Sequence, residues 1–353
     1  QMLEGEIGFN GEYGISLTKS TAVLMGVTIK GSGTGKTGIK LNGGRIELYK
    51  TNIREVNKGM SVENGVVRMF GGEIGFKGDY GIGLTKSTAA LKDVRIIGPG
   101  NKGTGVIMQN GVGTVMMKEV DISKVQTGVW VINGKLMMHK GSVEFKGEYG
   151  ISLIGGNAAL KNVRITGQGH SAEVAVKAVM GTVAIKGGEM SKVGTGVEVG
   201  SEGTVIMKEV DISKVTTGVE VKSEGAVWLI DTKLRDVYKG VSVTGGTVHM
   251  EGGEIGFMEE RGVSLTGGQA LLDDVSITGP GDEGTGVYVE NGGKMMMKEV
   301  KISKVGTGVE VISGKLMMHK GSVAFNGDYG VSLIGGDALL NGVRITGQDD
   351  KGT

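Results

Sequence analysis

The chain has 353 residues, a net charge of +1 and no cysteine. A charge this close to neutral gives no overall basic field for nucleic acid, and no apolar run reaches the ~18–20 residues of a membrane-spanning helix. Glycine is frequent, at 69 residues, but it does not recur at every third position as in collagen. The hydrophobic residues, 39% of the chain, alternate regularly, which indicates a folded protein.

A short glycine phrase recurs along the chain as Thr-Gly-Val, Tyr-Gly-Ile or Lys-Gly-Val, roughly every 22 residues. One repeat is hidden between Gly150 and Gly196. After each glycine the residues alternate, as in Val219-Glu220-Val221, and two further apolar runs complete the unit. Alternation with period two predicts strands. Three short strands joined by tight turns predict an all-β, right-handed parallel β-helix of about 15 coils, forming a single domain over residues 1–353.

The recurring glycine has two explanations. It either occupies a backbone position with positive φ or allows close packing without special φ, and the first is the prediction. In the hidden repeat Glu173 is aligned with this glycine. We therefore expect an altered turn at Glu173.

A longer period accompanies the short one. Residues 72–168 recur at about 253–348, an offset of about eight coils, so the domain contains an internal duplication. The turns Gly98-Pro99-Gly100 and Gly279-Pro280-Gly281 correspond to each other and are predicted to bulge from the same edge. Such a duplication indicates a lengthened scaffold, because a single catalytic pocket does not require it.

Methionine pairs occur in consecutive coils, at Met116-Met117 and Met137-Met138. At least one methionine of each pair is expected to point inward and fill the core. A methionine box for a cofactor is the alternative, and we favour core filling and expect no cofactor.

Two segments resemble motifs of polysaccharide-cleaving β-helix enzymes. Gly347-Gln348-Asp349-Asp350 resembles the paired aspartates of polygalacturonases, and Gly167-Gln168-Gly169-His170 loosely resembles their histidine segment. Asp349 and His170 are about eight coils apart, on the order of 38 Å, whereas cooperating carboxylates lie ~5–10 Å apart. We therefore expect no enzymatic activity from these segments.

Other candidate sites favour structural interpretations. Asp273-Asp274 could hold Ca²⁺ as in pectate lyases, but Lys161 takes the equivalent place in a sister coil, so a solvated turn is predicted. His139 and His319 repeat one position in the two copies. The segment 33–37 resembles a phosphate loop but lacks the full spacing and the following helix. No metal site is predicted.

Lysines repeat at two surface positions and could align as ladders. Candidate partner-binding residues are Lys192 and Lys214 in adjacent coils, with Lys124 and Lys304 at the same position elsewhere. Such ladders could bind heparan sulfate or an acidic protein surface, or could serve only for solubility. The second set precedes glutamate, which favours solubility: Lys118, Lys208 and Lys298.

Two repeat phrases carry a family resemblance. Residues 117–129 (Met-Lys-Glu-Val-Asp-Ile-Ser-Lys-Val-Gln-Thr-Gly-Val) and 71–82 (Gly-Gly-Glu-Ile-Gly-Phe-Lys-Gly-Asp-Tyr-Gly-Ile) resemble passenger domains of Bartonella-type autotransporters, and the resemblance extends over essentially the whole chain. It implies a secreted or surface-exposed bacterial passenger that crosses the outer membrane through its own C-terminal β-barrel translocator. We therefore expect this chain to be a piece of a longer protein.

The angiogenic members of that family imply a function for the passenger. They imply binding and activation of a vascular endothelial growth factor (VEGF) receptor on host endothelium, and the resemblance assigns no binding residue. An adhesin for host matrix or glycosaminoglycans is the alternative, and a polysaccharide lyase or hydrolase is a remote one.

Overall fold

The computed structural model describes residues 1–32, 36–109 and 111–347. The structure is 80% strand, has no helix in this described part, and stacks its parallel strands into a β-solenoid of about 16 turns spaced about 22 residues apart. The predicted fold class is confirmed, with about one coil more than expected.

The described residues form 25 strands, numbered in chain order. They are β1 (Met2–Phe9), β2 (Tyr13–Gly31), β3 (Thr37–Thr85), β4 (Thr88–Lys92), β5 (Arg95–Ile97), β6 (Thr104–Gln109), β7 (Thr114–Val125), β8 (Thr127–Val131), β9 (Lys135–Phe145), β10 (Tyr149–Thr166), β11 (Val174–Lys208), β12 (Asp211–Lys222), β13 (Ala226–Ile230), β14 (Lys233–Thr244), β15 (Thr247–Glu251), β16 (Glu254–Thr266), β17 (Gln269–Asp273), β18 (Ser276–Thr278), β19 (Thr285–Glu290), β20 (Gly293–Lys298), β21 (Lys301–Val311), β22 (Gly314–His319), β23 (Ser322–Leu333), β24 (Asp337–Asn341) and β25 (Arg344–Gly347).

Each strand pairs in parallel with the equivalent strand one coil away. Val197 pairs with Val219, and Val219 pairs in turn with Val241. Because the register keeps equivalent residues together, inward side chains stack on their own kind and form the buried core of Val, Ile, Leu and Met. The outward side chains form columns by the same rule, and these columns determine what the surface presents.

The chain divides into two compact units. The first contains Gln1–Gln168, Ala172–Val176 and Gly181–Val183. The second contains Gly169–Ser171, Lys177–Met180 and the chain from Ala184 onward. Each unit is described by itself below.

One corner of every coil is turned by a single residue in the left-handed region. The φ values at this corner lie between 47° and 68°, although most of the residues are not glycine. The corner residues are Glu4, Gly26, Lys50, Gly71, Asp93, Glu119, Lys140, Asn162, Gly187, Glu209, Asp231, Gly252, Asp274, Glu299, Lys320 and Gly342.

The recurring glycine of the Thr-Gly-Val phrase does not have positive φ, so that prediction is wrong. Its role is close packing, the second explanation. A β-carbon at Gly81 would lie 2.5 Å from Cγ2 of Ile96 and 2.7 Å from the carbonyl oxygen of Gly105 in the next coil. A side chain at Gly81 would therefore require the neighbouring coils to shift.

The alignment of Glu173 with the recurring glycine is also wrong. Ala175 holds that position, because its carbonyl oxygen lies 2.6 Å from the β-carbon site of Gly150, as the next glycine does elsewhere. Glu173 belongs to the preceding turn, which is outside the strands. It is 2% exposed, and its carboxylate accepts a hydrogen bond of 2.9 Å from the backbone N–H of Gln168.

A second corner of the coil has three forms that mostly alternate over three coils. The first form is an inward phenylalanine, as at Phe76, and the second is a glycine that opens a longer turn, as at Gly98. The third is a positive-φ residue followed by an inward valine, as at Lys124-Val125. In the second unit the third form occurs in three consecutive coils, at Lys192, Lys214 and Asp236.

Candidate functional site

All four candidate lysines lie at this second corner. Lys124, Lys192, Lys214 and Lys304 are exposed and have φ values between 53° and 56°. A left-handed conformation costs a non-glycine residue about 1–2 kcal/mol. The sequence pattern found the shared position but gave no sign of this backbone strain.

Lys192 and Lys214 stand in register in the second unit. The residues that precede them pair as Ser191 with Ser213, and the valines that follow them pair likewise. The next coil places Asp236 at the same corner, so the lysine ladder is two residues long and ends at a carboxylate.

Three of the four lysines accept a hydrogen bond from a neighbouring long turn. The carbonyl oxygen of Lys124 accepts from the N–H of Gly100 at 2.8 Å, and that of Lys304 accepts from Gly281 at 3.0 Å. Lys192 accepts from Gly169 at 2.7 Å. The predicted turns at Gly98 and Gly279 therefore lie outside the strands and have the same hydrogen bond in each unit.

Two lysines of the second set lie in ion pairs, Lys208 and Lys298. Lys208 contacts the following Glu209 at 3.8 Å. Lys298 instead contacts Asp273 of the preceding coil at 2.9 Å, and this hydrogen bond raises the pKa of the Lys298 ammonium group. Asp274, the other member of the acidic pair, is an exposed corner residue.

The remaining catalytic candidates do not come together in the described structure. His170 is exposed, while Asp349 and Asp350 lie outside the described residues, as does most of the phosphate-loop-like segment 33–37. His139 and His319 occupy outward positions, and each pairs with a lysine of the preceding coil: His139 with Lys118, and His319 with Lys298. Among the described residues no group of three or more His, Asp or Glu side chains could hold a metal ion.

The methionine pairs divide between core and surface. Met117 and Met138 are buried, as predicted for one methionine of each pair, and Met297 and Met318 are buried likewise. Their neighbours Met296 and Met317 point outward and are 45% and 49% exposed. The sequence does not show this outward set, because two identical residues in a row do not reveal which one faces the core.

An outward apolar ladder runs along the second unit at this position. Its members pair in register from coil to coil over about 29 Å and reach 59% exposure at Leu339. The ladder consists of Ile206, Trp228, Leu271, Met296, Met317 and Leu339, with the polar His249 between Trp228 and Leu271.

A smaller apolar patch lies in the first unit. Leu3, Met25, Tyr49 and Phe70 line one side of an open groove, and the rings of Tyr49 and Phe70 stack with centroids 5.3 Å apart. The patch ends at the next coil, where Lys92 pairs with Phe70.

A chain of ion pairs crosses another face of the second unit. Nζ of Lys177 lies 2.9 Å from Oε1 of Glu198, and Lys222 contacts both Glu198 and Glu220, at 3.3 and 3.1 Å. Burial raises the pKa of Glu198, but the hydrogen bonds and charges of the two lysines outweigh it, so the pKa lies below its ordinary value.

Comparison with known proteins gave no match to a family model, a curated protein or a solved structure. In the described part of the chain, no helix is long and apolar enough to cross a membrane. The resemblance to autotransporter passengers therefore depends on the repeat phrases alone.

Proposed function

We propose that this chain is the passenger of a secreted bacterial autotransporter and acts as a pro-angiogenic effector. In this proposal it binds and activates a VEGF receptor on host endothelium. The repeat phrases at 71–82 and 117–129 support the family, and the outward apolar ladder supports binding to a protein surface.

The outward apolar ladder is the observation that carries the proposal. Contiguous exposed apolar surface is uncommon on monomeric proteins and marks interaction sites. Tryptophan and methionine are enriched in the buried centres of protein interfaces, and the ladder contains Trp228, Met296 and Met317. Because each member is hydrogen-bonded into a stacked sheet, little backbone conformational entropy remains to be lost on binding.

A direct binding measurement tests the proposal. The purified chain should bind an immobilised VEGF receptor ectodomain with a dissociation constant of about 1 µM or tighter, and should raise receptor phosphorylation on endothelial cells. Trp228→Lys/Met317→Lys should weaken binding at least about tenfold. The control Ser242→Lys adds one positive charge on another outward column and should leave binding unchanged. Absence of binding at about 10 µM would reject the proposal.

Adhesion to glycosaminoglycans is the second candidate, favoured by the register of Lys192 and Lys214. The chain should then bind a heparin column and elute at modest salt, and Lys192→Ala/Lys214→Ala should abolish retention. Lys294→Ala/Lys315→Ala removes two lysines in register on another face and is the matched control. Heparin that competes with the receptor for the chain would favour this second function.

A further inference from the structure

The likeness between the two copies extends upstream of residues 72 and 253, and the copies differ at one exposed corner in this upstream part. Arg54-Glu55-Val56-Asn57-Lys58-Gly59 of the first copy corresponds to Arg235-Asp236-Val237-Tyr238-Lys239-Gly240 of the second. One coil later, Lys77 after Phe76 corresponds to Met258 after Phe257. Two polar residues are thus replaced by apolar ones, and Tyr238 and Met258 are 41% and 43% exposed.

The first copy is closed at this corner. The side-chain amide of Asn57 donates a hydrogen bond of 3.4 Å to Asp79, and it covers Gly78 so closely that a β-carbon there would overlap it. In the second copy the residue corresponding to Gly78 is Glu259. A β-carbon at this position is incompatible with the Asn57 arrangement of the first copy, and Tyr238 is exposed.

The connection at this place is also shorter in the second copy. Seven residues separate Ile29 from Thr37 in the sequence, whereas only four separate Ile212 from Thr217. The second unit has an open groove of about 440 Å³, lined by Val193, Lys214, Thr216, Tyr238 and Met258 among others. A neighbouring groove of about 370 Å³ shares Asp236 and Met258 with it.

The residues that differ between the copies around this corner also change the local charge. At the eight differing positions the net charge is 0 in the first copy and −4 in the second, while the basic residues Lys214 and Arg235 line the two grooves as well. The aligned positions, first copy and then second, are Glu55 and Asp236, Asn57 and Tyr238, Lys77 and Met258, Gly78 and Glu259, Asp79 and Glu260, Tyr80 and Arg261, Asn101 and Asp282, and Lys102 and Glu283. The five carboxylates among the second-copy residues are exposed. Among the described residues, Asp236, Glu259 and Glu283 have no ion-pair partner.

We propose that the groove of the second unit binds an extended basic segment of a partner protein. A large apolar side chain of that segment lies between Tyr238 and Met258, and flanking Arg or Lys side chains face Asp236 and Glu259. The charge complementarity selects a basic partner and accelerates association, and a cation over the Tyr238 ring adds a cation–π contact. The inference goes beyond the receptor proposal, since the groove and the outward apolar ladder are different surfaces.

Labelled peptides test the groove in the whole chain. The probes are nine-residue peptides with Arg or Lys around a central Leu, Phe or Trp, and a matched set with Glu in place of the basic residues. Fluorescence anisotropy should give a dissociation constant of about 10–100 µM for at least one basic peptide, weaker at high salt. The acidic set should not bind.

Variants that place first-copy residues in the second copy test whether the peptide binds in this groove. Tyr238→Asn/Met258→Lys introduces residues that already occupy this corner in the first unit, and it should weaken peptide binding at least about tenfold. Asp236→Asn, a milder change at a corner where φ is 51°, should weaken it several-fold. The control Lys77→Ala, at the matching site of the first unit, should leave it unchanged.

Three binding results would overturn the inference. They are no binding of any basic peptide at about 1 mM, equal binding of the acidic set, or unchanged affinity in both variants. Sedimentation of the chain without peptide tests whether a second copy of the chain occupies the groove. A concentration-dependent dimer that Tyr238→Asn/Met258→Lys abolishes would assign the groove to a second copy of this chain, and so would also overturn the inference.

Discussion

The ring of Phe257 lies directly against Gly279 in the next coil, where a β-carbon would come within 2.9 Å of Cζ. Phe76 and Gly98 have the same relationship in the first unit, at 3.1 Å. The phenylalanine of one coil thus fills the space that the glycine of the next leaves. The phenylalanine requires a glycine at this corner of the next coil, and the long turn begins at that glycine. A long turn therefore follows each phenylalanine coil.

Gly279→Ala is expected to destabilise the second unit. The new methyl group would lie 2.5 Å from the carbonyl oxygen of Lys304 as well as against Phe257, and overpacking of this kind costs about 1–3 kcal/mol. Urea unfolding followed by circular dichroism measures the change. The matched control is Gly256→Ala, whose β-carbon would meet only the Leu234 carbonyl oxygen at 3.7 Å. Equal effects of the two changes would contradict the packing explanation.

The sequence predicted the strands and the coil because both depend on periodicity, and periodicity is visible in the residues themselves. It did not predict why glycine recurs, since a positive φ and a close contact leave the same glycine in the sequence. The contact that excludes a β-carbon at Gly81 comes from Gly105, 24 residues later in the chain. Such a reason is tertiary and becomes visible only when the coils are stacked.

Truncation of Met297 should destabilise the protein much more than truncation of Met296. Met297→Ala removes a buried side chain from the core and should cost about 2–5 kcal/mol. Met296→Ala removes an outward side chain and should change stability by less than about 0.5 kcal/mol. Thermal unfolding of the two variants checks the assignment. A larger loss from Met296→Ala would mean that the strand β20 faces the other way.

The groove of the second unit could have been found from the sequence, but only by aligning the two copies of the duplication and comparing them residue by residue. Tyr238 and Met258 look unremarkable beside their own neighbours. They become informative when Asn57 and Lys77 are placed next to them. The outward apolar ladder has no such signal, because the alternation of two adjacent methionines is ambiguous.

Lys124→Gly should stabilise the first unit by about 1 kcal/mol, since glycine adopts the observed φ of 54° without a clash between Cβ and the backbone. The matched control is Lys118→Gly, an outward residue of the same strand β7 without positive φ, which should destabilise. Chemical denaturation of both variants measures the difference. Destabilisation of similar size in both would refute strain at the lysine corner.

The substitution Glu198→Gln tests how much the ion-pair chain contributes to folding stability, because that contribution depends on pH. The pKa of Glu198 is depressed in the folded state, so the carboxylate stabilises the fold above its unfolded pKa of about 4.3. That contribution is lost as the pH falls through the folded pKa. The variant should therefore be less stable than the parent by about 1–3 kcal/mol at pH 7, and the difference should shrink in strong acid.

Urea titrations at pH 7, 5 and 3 measure this difference, with Glu220→Gln as the matched control. Glu220 contacts Lys222 but is more exposed than Glu198, at 27% against 13%, so its loss should cost less stability.

The carboxylates of Glu198 and Glu220 lie next to each other on adjacent coils and repel each other unless Lys222 lies between them. Lys222→Met should therefore destabilise more than Glu220→Gln, because it leaves that repulsion unscreened. A difference between Glu198→Gln and the parent that stays constant from pH 7 to pH 3 would show that the charge of Glu198 contributes nothing to stability.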